Sequence, residues 1–161
     1  MPFNSCIHFF LISLYFKIRP IIENYITMKI HRTATFTEKS HLTIIAGKKS
    51  DLSEFLQQEE IEFVKERINK DKTEIALNRL DQMIFIQIIN DNDEPVYKRK
   101  ETLRKAAAKL NNTLNINDIE SVSIVHRDIE CDLALAFAEG LALANYQFLK
   151  YLKEKEKKRN S

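Results

Sequence analysis

The chain has 161 residues, of which 44% are apolar and 30% charged, enough for one domain with an ordinary core and possibly a tail. Its net charge is only +2, and acidic and basic residues are interspersed, so no strong one-sign field points to nucleic acid. Cys6 and Cys131 lie far apart and form no CxxC or Cys/His spacing, so neither a disulfide framework nor a zinc site is signalled, and a reducing cytoplasm fits best.

The first 27 residues stand apart in composition. The run "CIHFFLISLYF" (6–16) is too short to span a bilayer, and no Lys or Arg precedes it as a secretory signal would require. Met28 opens "MKIHRTATF" as a second candidate start, so residues 1–27 are expected to form an upstream extension outside the fold, with neither membrane insertion nor secretion. From Met28 onward, strand-length apolar runs alternate with stretches of helical period, the pattern of an α/β layered domain. "HLTIIAG" (41–47) is β-branched and closed by Gly47, which predicts a buried strand. In "LQQEEIEFVKERI" (56–68), Leu56, Ile61, Val64 and Ile68 share one helical face. "TEIALN" (73–78) and "QMIFIQII" (82–89) are two strands joined closely enough to pair antiparallel.

"NDNDEP" (90–95) is a turn-forming loop. It lacks the glycine of a calcium loop, and the twelfth position from Asp91 is Thr102 instead of a bidentate Glu. Leu103, Ala107, Leu110 and Leu114 then mark one face of a helix, and "SVSIVH" (121–126) is the last strand. In the closing helix, Leu133, Phe137, Leu141, Ala144 and Phe148 form the expected buried stripe, with Gly140 on or beside it. A glycine inside a helix costs about 1 kcal/mol relative to alanine, so Gly140 predicts a close backbone approach. The expected architecture is a three-layer α/β domain with a mixed sheet flanked by helices.

Candidate chemistry is sparse. "HRDIECD" (126–132) gathers His126, Asp128, Glu130, Cys131 and Asp132, but without ligand spacing; acidic residues just before an apolar-periodic run predict a helix start. No nucleophile elbow, P-loop or dinucleotide fingerprint occurs. Only Gly47 and Gly140 are available, whereas a phosphate-binding site wants several glycine-lined loops. The tail "KYLKEKEKKRN" (150–160) alternates Lys with Glu154 and Glu156, the pattern of a solvated helix end or linker.

Together, "ETLRKAAAKLNNTL", "SVSIV" and above all "LAFAEGLALANYQFLKY" resemble the N-terminal domain of the leucyl (cytosol) aminopeptidase family, where an AEGLxLxxYxFxKY-like helix closes the first domain. The resemblance is strongest over 133–151, collinear back to about residue 40, and absent over 1–27. It implies a macro-like fold over 28–152, with an interdomain linker starting at 153–161. It also implies a homo-hexameric metalloaminopeptidase whose two divalent ions, zinc or manganese, sit in a separate catalytic domain, joined in cis or supplied as another chain. That domain carries a lysine and a segment written NTDAEGR. The only "AEG" here, Ala138-Glu139-Gly140, belongs to the closing helix. No catalytic, metal-binding or cofactor-binding residue is therefore assigned to this chain, and its expected part is architectural. The second reading is a free-standing macro-like module that binds a nucleotide or ADP-ribose.

Overall fold

The computed structural model describes the backbone of residues 9–14, 28–33, 40–90 and 94–159, and the side chains of 40–90 and 94–145. Among the described residues the elements are β1 (Phe9–Leu14), β2 (Met28–Thr33), β3 (His41–Gly47), α1 (Gln58–Asn69), β4 (Glu74–Arg79), β5 (Gln82–Ile89), α2 (Val96–Ile116), β6 (Ser121–Arg127) and α3 (Cys131–Arg159). The six strands form one mixed sheet in the order β2-β1-β6-β3-β5-β4. β3 runs parallel to both β5 and β6, and these three strands are buried along most of their length, as cover on both faces requires. The outer pairs, β1 with β6 and β2, and β4 with β5, are antiparallel.

Alternation along the central strands divides the core. Leu42, Ile44, Ala46, Ile84, Ile86 and Val125 point to one face, where Val64 of α1 packs on them. Ile45, Phe85, Ile89, Val122 and Ile124 point to the other, beneath Leu103, Ala107, Leu110 and Leu114 of α2 and Leu133, Phe137 and Leu141 of α3. The result is a three-layer α/β domain, with one helix below the sheet and two above it.

Two boundaries differ from the sequence reading. Residues 1–27 were set outside the fold, yet Phe9–Leu14 is a strand inserted between β6 and β2, with Phe9 opposite Val125. An apolar run of strand length satisfies its backbone groups by pairing on both sides, which composition alone does not reveal. Likewise α3 continues as helix through the expected linker start at residue 153 to Arg159, in keeping with the good helix propensity of Lys and Glu. The side chain of Phe148, placed in the buried stripe by its spacing, lies outside the described residues, as do Cys6 and residues 91–93 of the NDNDEP loop.

With so few glycines, the chain ends two helices on aspartate. Asp71 and Asp118 adopt left-handed φ values of 55° and 53°. After α1, the Lys72 and Asp71 N–H groups donate to the carbonyls of Arg67 and Ile68; after α2, those of Ile119 and Asp118 donate to Leu114 and Asn115. These are Schellman closures, and Asp tolerates the left-handed position better than most non-glycine residues.

Candidate functional site

In a sheet with parallel central strands, ligands usually enter at the carboxyl ends. Here those ends are Gly47 of β3, Ile89 of β5 and Arg127 of β6. Ser50 occupies the gap between β3 and β6: its hydroxyl accepts from the Gly47 N–H at 3.0 Å and donates to the Arg127 carbonyl at 3.2 Å. The Arg127 guanidinium in turn pairs with Glu54 at 3.0 Å. Asp51 accepts the Ser53 N–H at 3.0 Å, and this hydrogen bond holds its carboxyl below the ordinary range. The polar groups of this loop are thus engaged with one another.

The sequence cluster 126–132 does not converge. His126 is buried in β6, whereas Asp128 is exposed with a left-handed φ of 54°. Glu130 and Asp132 were expected to serve the start of α3 as capping carboxylates. Their side chains reach across to α2 instead, pairing with Arg99 at 3.5 Å and Lys100 at 3.1 Å. α3 nevertheless starts at Cys131 with Asp132 in its first turn, as the acidic cluster predicts, and the Leu133 N–H donates to the Glu130 carbonyl. Cys131 is a free, exposed thiol at the helix start. Among the described residues, no group of three His, Cys, Asp or Glu side chains is placed to hold a metal ion, and no helix is long and apolar enough to cross a membrane.

Gly140 lies where the sequence reading put it. A Cβ built on it would stand 2.5 Å from the Arg104 Cα, 2.7 Å from its carbonyl oxygen and 3.0 Å from its carbonyl carbon. The backbones of α2 and α3 therefore touch, and only glycine fits. Arg104 pairs with Glu139 at 2.9 Å beside this contact, so with Arg99 and Lys100 three ion pairs flank the seam. Ala134, Ala136 and Ala138 are also buried along α3, and Ala134 and Ala138 share a core cluster with Leu103 and Ala107 of α2.

The feature that sequence reasoning missed is a cleft at the β4 edge of the sheet, about 210 Å³ in volume, between β4 and α2. Its walls are Ala76, Phe85, Leu110 and Phe137. Thr43 and Gln87 are buried among them. Gln87 donates to the Ile88 carbonyl at 3.2 Å, whereas the buried Thr43 hydroxyl has no hydrogen-bond partner among the described residues. Lys109 of α2 and Glu74 of β4 form an ion pair of 2.9 Å at the rim. On the opposite face of the same strand, Phe63, Arg67, Lys72 and Ile75 border a second cleft of about 270 Å³, with the Arg67 guanidinium 4.7 Å from the Phe63 ring centre. The sequence signal was faint but present: Thr43 and Gln87 are polar residues inside otherwise apolar strands.

Compared with protein-family models, with curated proteins and with solved structures, the chain matches none. What fold and geometry define by themselves is a three-layer α/β domain with a mixed sheet, a glycine-tight helix pair and a terminal strand, β4, that is flanked by two clefts and has no partner on its outer side among the described residues.

Proposed function

We propose that the chain is a non-catalytic N-terminal domain of the leucyl aminopeptidase type, acting as architecture for a two-metal catalytic domain held in cis or supplied as a separate chain. The observation that carries this reading is the seating of α3 on α2. The segment "AEGLALANYQFLKY" that underlies the resemblance is the helix whose glycine meets the Arg104 backbone, so its small residues serve a defined packing role. The helix also keeps Leu135 and Leu143 exposed on the side away from the sheet, as a surface able to receive a neighbouring domain. Removal of N-terminal residues from peptides, by a water or hydroxide activated between two ions, would then belong to that partner domain, in a cytoplasmic homo-hexamer.

The engaged polar groups at the carboxyl end of the sheet favour this reading over nucleotide binding. Phosphate recognition there would need backbone N–H groups free to converge on the anion, but Gly47 donates its N–H to Ser50. The test has two arms. Purified chain with added manganese or zinc is expected to leave leucine amide intact, and calorimetry with ADP-ribose is expected to show no saturable heat. Hydrolysis that survives repurification, or micromolar binding of ADP-ribose, overturns the proposal.

A further inference from the structure

We infer that the outer edge of β4 is a docking site for an extended acidic segment of another protein, which would add a seventh strand to the sheet. β4 is the terminal strand of the order β2-β1-β6-β3-β5-β4, and among the described residues nothing pairs with its outer side. The antiparallel register places Glu74 opposite Gln87 and Ala76 opposite Phe85, and the Ile88 N–H donates to the Thr73 carbonyl at 2.8 Å. Hydrogen-bonded pairs alternate along such a ladder. Thr73, Ile75 and Leu77 therefore direct their backbone groups to β5, and Glu74, Ala76 and Asn78 direct theirs outward. All three of those residues are exposed.

An incoming strand would present successive side chains to opposite faces of the sheet. Both faces are prepared at the same place, because the two clefts share Glu74, Ile75 and Ala76. The α2-side cleft, walled by Ala76, Phe85, Leu110 and Phe137 around the buried Thr43 and Gln87 with the Lys109–Glu74 pair at its rim, suits one aliphatic or aromatic side chain. The α1-side cleft is bordered by Arg67 and Lys72, two cations against the single carboxylate of Glu74, and suits a carboxylate. The preferred segment therefore has an apolar residue next to an acidic one. A second copy of this chain fits less well, since pairing β4 with β4 would bring two sets of Arg67, Lys72 and Lys109 together, and among the residues lining the two clefts only Glu74 offsets each set. This inference is independent of the aminopeptidase reading.

The probe is a fluorescent six-residue peptide alternating leucine and aspartate, with a leucine–lysine peptide as control. Anisotropy is expected to show saturable binding of the acidic peptide and at least tenfold weaker binding of the basic one. Ala76→Pro removes an outward N–H that β5 does not use, at an edge position where proline is tolerated. It is expected to keep the thermal melt and weaken the acidic peptide by about tenfold or more. Arg67→Glu, an exposed change outside the core, should shift preference toward the basic peptide even if the proline variant unfolds. The inference is overturned if the acidic peptide fails to saturate at millimolar concentration, if folded Ala76→Pro binds it unchanged, or if Arg67→Glu leaves the preference unaltered. It is equally overturned if sedimentation shows a dimer that Ala76→Pro dissolves, because the occupant would then be a second copy.

Discussion

The α2–α3 seam and the β4 edge sit over the same sheet, yet they are built in opposite ways. At the seam, backbone meets backbone at Gly140, Phe137 and Leu141 are fully buried, and ion pairs only flank a contact made by shape. At the edge, strand backbone faces outward, and the Glu74–Lys109 pair spans a cleft with both side chains about half or more exposed. The difference teaches where stability is invested: close-packed apolar surface is costly to disturb, whereas exposed charge pairs contribute little. The edge does have one firm anchor. Arg79, at the end of β4, donates through Nε to Glu60 at 2.6 Å and through its Nη atoms to Glu60, to Gln82 at 3.1 Å and to the Phe55 carbonyl at 3.0 Å. Glu60 also accepts the Gln57 N–H at 2.8 Å, so the start of α1 and the β4–β5 hairpin are fastened together.

The largest expected effect is at the seam. Phe137→Ala removes a fully buried ring that touches the sheet side of α3 and also walls the cleft, and is expected to cost about 3–5 kcal/mol by urea denaturation. A loss well under 1 kcal/mol would mean that the seam is loosely packed. Gly140→Ala comes next. Its better helix propensity is worth about 1 kcal/mol, but a methyl 2.5 Å from the Arg104 Cα forces the helices apart, so a net loss of about 1–3 kcal/mol is expected, and more for leucine. A stabilised Gly140→Ala variant would remove the close approach on which the comparison rests.

At the anchor, Glu60→Gln keeps the shape and loses the charge, with an expected loss of about 1.5 kcal/mol at neutral pH. The Arg79 hydrogen bonds, more than the Gln57 N–H, hold the Glu60 carboxyl below its ordinary value. A carboxyl depressed by folding contributes stability that is complete above its unfolded value, near 4.5, and is lost as pH falls through the folded value. The gap between wild type and Glu60→Gln should therefore be constant at neutral pH and close below about pH 4.5. A gap that widens on acidification would contradict the assignment. The smallest effect is expected at the rim, where Lys109→Ala should change stability by less than about 0.5 kcal/mol in a thermal melt. A larger loss would show that the edge depends on its ion pair.

Much of the seam and the central sheet was legible in the sequence, because both leave local signatures. β3 and β5 carry apolar runs bounded by turn residues and span 41–47 and 82–89 as expected. Leu103, Ala107, Leu110 and Leu114 repeat at helical spacing, and a glycine amid alanines in a helix has few explanations other than close packing. β1 was not legible, since a strand whose partners are β6 and β2 is recognised by long-range pairing and not by composition. The clefts were hidden for the same reason: Thr43, Phe85, Leu110 and Phe137 are scattered over the chain and meet only once the sheet has its order. Their trace was a Thr and a Gln in strands that could have been wholly apolar. The fate of Glu130 and Asp132 was also beyond local reasoning, because Arg99 and Lys100 pair with them from another helix.

The proposed role of this domain, as architecture for an aminopeptidase catalytic unit, is decided on the native protein. An antibody raised against residues 40–145 would isolate the protein from its own cells for peptide mass analysis. An NTDAEGR-like segment and the metal-binding lysine region are expected in the same polypeptide or in a stoichiometric companion. Isolation of the protein with no such segment, in itself or in a companion, would contradict that role.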